Sequence, residues 1–206
     1  MEERYESDGV QGTLHRPERP NGHGIVLTHG AGSNSQAPLL VQLARGFEEQ
    51  GYSVLRYDLP FRILRSRGSP VPAHSARDRD GVRQAVSVMR DVVSGSVVAG
   101  GHSYGGRQTA MAAAETPGLV QSLVLFSYPL HPPSKPQQLR TSFFGDLRTP
   151  ALFVHGTRDP FGSIEELRLH LALIPAPTDV LAVEGAGHDL KRAPSLLGEI
   201  LDRMLF

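Results

Sequence analysis

The sequence feature that most constrains the fold is the pentapeptide GHSYG at residues 101–105, which matches the pattern G-x-S-x-G. A short valine-containing apolar run at residues 96–99 precedes it and predicts a strand buried on both faces. Good helix formers follow at residues 107–115, and Pro117 ends that run. A strand that turns directly into a helix leaves no room for side chains around the bend, and glycine removes that conflict. The pattern therefore predicts that Ser103 is exposed on a sharp, strained turn.

Strand and helix patterns alternate along the rest of the chain. Buried strands are predicted at residues 24–28, 52–57, 123–126, 151–155 and 179–183, and an antiparallel edge strand at residues 9–15. Helices are predicted at residues 38–50, 75–93, 163–173 and 194–206. Residues 58–73 are predicted to form a loop, and residues 128–150 a second loop that is too short for a lid domain. Capping boxes are predicted for Ser75 with Asp78 and for Ser163 with Glu166. Such alternation is typical of a mostly parallel sheet with helices on both faces and functional loops at the carboxyl ends of its strands.

Length and composition limit the classes of protein that this chain can be. The 206 residues, 39% of them hydrophobic, suit one domain spanning 1–206 with one substantial core. Twenty-one basic residues balance 21 acidic ones, so no nucleic acid or anionic membrane is expected as a partner. The N-terminus has no apolar signal core, and no apolar run approaches the roughly 18 residues of a membrane span, so a cytoplasmic location is expected. The oligomeric state is left open.

Cofactor and metal chemistry have no sequence signature here. The chain contains no cysteine, which excludes disulfides, cysteine nucleophiles and thiolate metal sites. No H-E-x-x-H or comparable ligand cluster occurs, so no metal is expected. The glycines around Ser103 lack the lysine of a phosphate-binding loop and match no dinucleotide fingerprint, so no cofactor is expected either.

With its motif and context, the chain resembles the α/β-hydrolases, and more narrowly their small dienelactone-hydrolase-like members without a lid. The segments SYPLHPP at residues 127–133 and FVHGTRDPFGS at residues 153–163 are similar to a family with a testis-expressed hydrolase-like protein and a histone-acetyltransferase-complex subunit. The resemblance implies the α/β-hydrolase fold and a serine hydrolase that acts on small esters, thioesters or lactones. An ester of this kind is the expected small-molecule partner.

Ser103 needs a base, because a serine hydroxyl is a weak nucleophile until its proton is taken. The resemblance implies the chain order serine, acid, histidine, which leaves three candidates. His188 follows the last predicted strand in the glycine-rich stretch GAGHD, which can carry a side chain back over the sheet. His170 falls in the middle of a predicted helix and is interpreted as a surface residue. His155 precedes Asp159 in the chain and would need Asp146 as its acid. His188 is the predicted base.

Asp159 is the predicted acid, because it comes four residues after the strand that ends at His155. Asp146 precedes that strand and Asp179 begins the next one, so both are expected at the opposite edge of the sheet. Asp189 is interpreted as a loop or helix-entry residue. The alternative for Asp159 is a purely structural role in the turn before Pro160.

Two backbone N–H groups are predicted to stabilise the oxyanion of a tetrahedral intermediate. The resemblance assigns them to Tyr104, which follows the serine, and to Ala31 in the stretch HGAG at residues 29–32. A tight turn without function is the alternative for that stretch, and His29 is predicted to be a structural hydrogen-bonding residue.

The segment from Leu59 to Arg77 contains four arginines, the last of them Arg77, and no acidic residue, and it suggests a further hypothesis about the substrate. Arg62, Arg65 and Arg67 follow a strand at the functional end of the sheet, with no acidic residue among them. Arginine binds carboxylates in two-point geometry, so the hypothesis is that these residues recognise an anionic substrate. The alternative is a solvated loop.

A different class of function also fits the fold. An α/β-hydrolase domain that is inactive, or only weakly active, can act as a protein-interaction module, as the resemblance to a chromatin-complex subunit permits. Retention of Ser103, Asp159 and His188 together favours the enzyme, because a scaffold needs neither a strained turn nor a histidine after the last strand.

Overall fold

The computed structural model describes residues 1–204, and an eight-stranded sheet forms its centre. The strands are β1 (Glu2–Ser7), β2 (Val10–His15), β3 (Gly24–Thr28), β4 (Ser53–Tyr57), β5 (Val97–His102), β6 (Ser122–Phe126), β7 (Ala151–Gly156) and β8 (Thr178–Val183). Their order across the sheet is β1-β2-β4-β3-β5-β6-β7-β8. The six strands from β3 to β8 are parallel to one another, which confirms the mostly parallel sheet.

Helices cover both faces of this sheet. They are α1 (Pro38–Glu49), α2 (Pro60–Leu64), α3 (Ser75–Val92), α4 (Tyr104–Glu115), α5 (Ile164–Leu171) and α6 (Leu197–Arg203). Side chains alternate along each strand, so β3 sends Ile25 and Leu27 into a core with α1 and α6, and Val26 into a core with α3, α4 and α5. Within residues 1–204 there is no separate lid domain, and no helix has both the length and the apolar character needed to cross a membrane.

The first two strands form an antiparallel hairpin at one edge of the sheet. β2 pairs with β4 in the antiparallel sense, as predicted for residues 9–15, and β1 pairs with β2 along its whole length. β1 was not predicted, because its sequence EERYES contains no apolar alternation. It is held by pairing with β2, by Tyr5 against the core, and by the ion pair of Glu2 with Arg45 of α1.

The segment between β4 and α3 differs most from the prediction of a loop over residues 58–73. It contains α2 and a short 3₁₀ helix at Pro72–His74. The capping box predicted for Ser75 and Asp78 is wrong: α3 has no side-chain cap, and the Asp78 carboxylate binds groups outside its own helix. The capping box of Ser163 and Glu166 on α5 is confirmed.

The last helix begins later than predicted. A 3₁₀ helix at Ala193–Leu196 precedes α6, where a single helix over residues 194–206 was predicted. The predicted end of that helix, at Phe206, lies outside the described residues.

Candidate active site

Ser103 occupies the bend between β5 and α4 in a strained backbone conformation. Its φ is +52° and its ψ −116°, a region that residues with a side chain rarely adopt. A Cβ on Gly101 would lie 2.8 Å from the backbone of Gly105, and one on Gly106 would lie 2.6 Å from the Gly101 oxygen. A Cβ on Gly105 would lie 2.5 Å from the His29 oxygen. The glycines therefore keep the bend free of collisions, as the sequence pattern predicts.

Ser103, His188 and Asp159 form a continuous hydrogen-bonded chain at the carboxyl edge of the sheet. Nε2 of His188 lies 2.8 Å from Oγ of Ser103, and its Nδ1 lies 3.0 and 2.8 Å from the two carboxylate oxygens of Asp159. Because an ionised carboxylate can only accept, Nδ1 carries the proton of the neutral ring. Nε2 is then left as an acceptor for the Ser103 hydroxyl.

Asp159 is held in its charged form although it is buried. Its side chain has no exposed surface, and burial alone would raise the pKa of the carboxyl. The hydrogen bond and charge of His188, together with the N–H of Phe161 at 2.9 Å from Oδ1, outweigh that effect and leave the pKa below its ordinary value. Asp159 therefore stays ionised and can stabilise a positive charge on His188.

The His188 ring packs against two other rings but remains partly exposed to solvent. The Phe161 ring lies 4.2 Å from the His188 ring, centroid to centroid, at an interplanar angle of 30°, and the His102 ring lies at 5.1 Å. Nε2 of His102 donates a hydrogen bond to the main-chain oxygen of His188 at 2.7 Å, and burial lowers the pKa of His102, which keeps this ring neutral. The His188 side chain remains 23% exposed. Sequence reasoning gave His102 no role, since only the fold brings residues 102 and 188 together.

The rival histidines have other partners. His155 is fully buried, and its Nε2 donates to the Gly162 oxygen at 2.9 Å while lying 3.8 Å from the carboxylate of Asp159. Burial lowers the pKa of His155, so it is neutral. His170 lies on α5 and bonds to the main-chain oxygen of Glu166.

The rival acids make contacts other than a hydrogen bond to the His188 ring. Asp146 is exposed at the end of a 3₁₀ helix, Asp179 pairs with Arg203, and Asp189 pairs with Lys191. Among the acids considered, the structure brings Asp159 alone to His188.

The turn at residues 30–33 lies against Ser103, since a Cβ on Gly30 would be 3.6 Å from that of Ser103, and its hydrogen bonds fix the direction of the Ala31 N–H. The Gly30 oxygen accepts bonds from the Ser33 N–H at 3.1 Å and from Nδ1 of His29 at 2.9 Å. Since a trans peptide directs its C=O and N–H to opposite sides, these two bonds fix the Ala31 N–H on the other side. Nε2 of His29 accepts from the Leu59 N–H at 3.1 Å, and burial lowers the pKa of this histidine, so His29 has the structural role predicted for it.

The N–H of Tyr104 is oriented by the start of α4. The Ser103 oxygen accepts from the Arg107 N–H at 3.0 Å, and the Tyr104 N–H in the same peptide therefore points out of the helix end. The partial positive charge of a helix N-terminus adds to the attraction for a negative charge at this point.

Arg62 is not placed as the anionic-substrate hypothesis requires. It is only 7% exposed, and four backbone carbonyls accept from its guanidinium: Ser33 at 2.8 Å, Ala31 at 2.8 Å, Gly68 at 3.0 Å and Arg65 at 3.2 Å. The prediction that Arg62 contacts substrate is corrected, because its guanidinium binds the protein's own main chain. Arg65 and Arg67 are exposed, and their role in substrate binding stays a prediction.

A cavity of about 540 Å³ adjoins the turn at residues 30–33. Gly30 and His102 form its wall nearest to Ser103, the first turn of α1 contributes Leu39 and Leu40, and Lys191 lies on its rim. This volume is typical of sites for small organic molecules. Within the described part of the chain, no group of three or more acidic or histidine side chains is arranged to hold a metal ion.

The chain belongs to the α/β-hydrolase family, since the family model described as an alpha/beta hydrolase domain matches residues 21–199. Solved structures with the same fold include a dienelactone hydrolase from Anabaena variabilis, with 22% identity, a TM-score of 0.78 and coverage of 100% of this chain and 99% of that one. An α/β serine hydrolase without a lid from Xanthomonas campestris has 17% identity and a TM-score of 0.76, and the match covers 98% of this chain and 94% of that one.

A third structure is an α/β serine hydrolase homologue from Coxiella burnetii, with 18% identity, a TM-score of 0.76 and coverage of 98% and 96% of the two chains. At such identities the three likenesses establish the fold. The narrower resemblance to the testis-expressed and acetyltransferase-complex family stays a prediction.

Proposed function

We propose that this protein is a serine hydrolase that cleaves small carboxylic esters, thioesters or lactones through an acyl-enzyme on Ser103. The observation that carries the proposal is the chain of hydrogen bonds from Ser103 through His188 to Asp159, with 2.8 Å at each of its two closest contacts. This arrangement supplies a nucleophile, a base and a group that orients the base, the three parts that acyl transfer requires.

In the first half of the reaction, Oγ of Ser103 attacks the substrate carbonyl carbon while its proton passes to Nε2 of His188. The imidazolium that forms is stabilised by the ionised Asp159, and the N–H groups of Ala31 and Tyr104 bind the oxyanion. His188 then returns its proton to the departing alkoxide or thiolate, which leaves an ester between the acyl group and Ser103.

In the second half, a water molecule takes the place of the alcohol. His188 accepts a proton from the water as it attacks the acyl-enzyme, and then returns that proton to Oγ of Ser103 as the carboxylic acid leaves. No cofactor is needed for either half.

The size of the site favours small substrates. No lid covers Ser103 within the described residues, so nothing there shields a long acyl chain from water. The cavity of about 540 Å³ is lined by Gly30 and His102, next to Ser103 but not by Ser103 itself, and it could take a compact group of the substrate. The similarity in fold to a dienelactone hydrolase is consistent with an ester or lactone as substrate.

The proposal is tested by labelling with a fluorophosphonate probe and by hydrolysis of p-nitrophenyl acetate and butyrate. We expect the wild type to be labelled and active. In Ser103→Ala, labelling is abolished and kcat/KM falls by about 10⁴-fold or more, while thermal unfolding shows an intact fold.

Ser142→Ala is the matched control, because Ser142 is exposed and far along the chain from the candidate site. It is expected to keep full labelling and turnover. Unchanged labelling in Ser103→Ala would overturn the assignment of the nucleophile. A wild type that is neither labelled nor active on any small ester would favour the interaction module instead.

A further inference from the structure

Arg62 connects α2 to the turn that carries the Ala31 N–H. The guanidinium donates to the oxygens of Ala31 and Ser33, which flank Gly32 in that turn, and to two oxygens of the segment after α2. An arginine fork has five N–H donors in one rigid plane, so it can hold several carbonyls at fixed relative positions. Arg62 therefore holds the Ala31 and Ser33 oxygens of the turn at fixed positions relative to α2.

Asp78 connects the same short helix to the residue after the serine. It lies on α3 with 1% of its surface exposed; Oδ1 accepts from the Phe61 N–H at 2.9 Å and Oδ2 from the Tyr104 hydroxyl at 2.7 Å. Burial and the bond to Asp78 raise the pKa of Tyr104, so its phenol stays protonated and donates. The Phe61 ring packs edge-on against Tyr104, with centroids 5.6 Å apart.

These contacts meet at α2, between the two segments that carry the proposed oxyanion donors. Ala31 and Tyr104 are distant in sequence, and neither N–H can be aligned by its own segment alone relative to the other. Donors that are fixed before the reaction stabilise an oxyanion far better than donors that must reorganise. A helix tied through Arg62 to one segment and through Asp78 to the other supplies that fixed relation.

We infer that Arg62 and Asp78 are positioning residues that hold the N–H groups of Ala31 and Tyr104 in a fixed geometry relative to each other. The helix α2, which contains Arg62 and binds Asp78, connects the two segments. The inference rests on the proposed function. In this role Arg62 helps to stabilise the transition state of every ester, so its loss should lower kcat for all of them. A residue that binds the carboxylate of anionic esters would instead affect KM, and only for those esters.

The decisive experiment compares a neutral ester with a carboxylated ester that has the same leaving group, in wild type, Arg62→Ala and Arg62→Lys. For Arg62→Ala we expect kcat to fall by about 10- to 100-fold for both esters and KM to change by less than about twofold. Arg62→Lys retains one charged donor and is expected to recover part of the lost kcat. Arg168→Ala, which removes an exposed arginine on α5, is the control and keeps wild-type values.

Tyr104→Phe is a second test of the inference if the Arg62 variants do not fold. It removes the hydroxyl that binds Asp78 but keeps the ring and the backbone N–H. We expect kcat to fall by about fivefold for both esters, the effect of one hydrogen bond, with KM unchanged.

The inference is overturned if Arg62→Ala folds and raises KM for the carboxylated ester alone, or if folded Arg62→Ala or Tyr104→Phe keeps the wild-type kcat. In each of these cases the wild type still shows turnover that depends on Ser103, so only the inference fails. If the wild type shows no such turnover, the proposed function fails, and the inference fails with it.

Discussion

The two sides of Ser103 are built in different ways. On one side, His188 and Asp159 act through their own side chains, which two loops after β7 and β8 bring to the carboxyl edge of the sheet. On the other side, the proposed oxyanion donors are the backbone N–H groups of Ala31 and Tyr104. The turn that carries the Ala31 N–H is held by the buried side chains of His29 and Arg62, and the Tyr104 N–H is oriented by the first turn of α4.

This difference determines how each side responds to substitution. A change at His188 or Asp159 removes a chemical group, so its effect on the rate is direct and large. A change on the other side leaves both N–H groups present and alters only their alignment, so its effect is smaller and is accompanied by a loss of stability. The predictions below test that distinction.

The largest effect is expected for Asp159→Asn. The NH2 of the amide can donate to Nδ1 of His188, which favours the wrong tautomer with the proton on Nε2, so kcat falls by about 10⁴-fold. The measurement is kcat and KM for a neutral ester, with circular dichroism to check the fold.

Asp146→Asn is the matched control, because Asp146 is exposed and is the alternative acid. A large loss in Asp146→Asn, with activity retained in Asp159→Asn, would show that the acid was assigned wrongly.

An intermediate effect is expected for Gly105→Ala, which changes the contact between the two donor-bearing segments. The new methyl would lie 2.5 Å from the His29 oxygen and 2.8 Å from the Thr28 methyl, so the backbone must shift. We expect the free energy of unfolding to fall by about 1–3 kcal/mol, as for other overpacked sites, together with a decrease in kcat. Urea denaturation and ester kinetics measure the two quantities.

Gly198→Ala on α6 is the control for this substitution, because the new methyl meets no atom of residues 1–204 within 4 Å. It is expected to raise the free energy of unfolding slightly, by about 0.5–1 kcal/mol, since alanine favours a helix. A Gly105→Ala protein as stable and as active as the wild type would contradict the close packing of these two segments.

The smallest effect is a pH dependence of stability that arises from His29. Burial lowers the pKa of His29 from its ordinary value of 6.5, while its bond to Gly30 and the charge of Asp58 oppose that shift. Below about pH 6.5 the unfolded chain takes up a proton that the folded protein does not, so stability present above that pH is lost as pH falls. The expected slope is about 1.4 kcal/mol per pH unit for each such histidine.

The measurement is urea denaturation between pH 5 and 8 for the wild type, His29→Gln and His74→Gln. Glutamine can accept from the Leu59 N–H and donate to the Gly30 oxygen without titrating, so His29→Gln should have a shallower slope by about one proton. His74 is exposed, and its replacement should leave the slope unchanged. Equal slopes in all three proteins would show that His29 is charged in the folded state or plays no part.

Much of the fold and one side of the site were predictable from the sequence. Runs of apolar residues predicted β3 to β8, because a strand that is covered on both faces must be apolar along its length. The structure brings together Ser103, Asp159 and His188, which the sequence predicts as partners from their positions after strands. Side chains at strand ends meet because parallel strands end at one edge.

The other side of the site was not predictable, for a physical reason. α2 has only five residues, and its Phe61 N–H is capped by Asp78 from another helix, so no local signal marks its start. The same Asp78 was assigned to a capping box, because spacing alone does not distinguish a cap from a tertiary contact. The arginine of α2 was predicted to meet solvent or substrate, since an unpaired charge in the sequence gives no sign of buried carbonyls that will bind it.

The hairpin at the edge of the sheet also has a consequence for solubility. An open strand edge offers unpaired N–H and C=O groups to any extended chain, and charged side chains are a common protection against such pairing. Four of the six residues in β1 are charged, whereas the strand behind it contains the fully buried Leu14. β1 therefore protects β2: without it, β2 would become the edge strand, and the backbone groups beside its buried Val10 and Leu14 would be open to pairing with other chains.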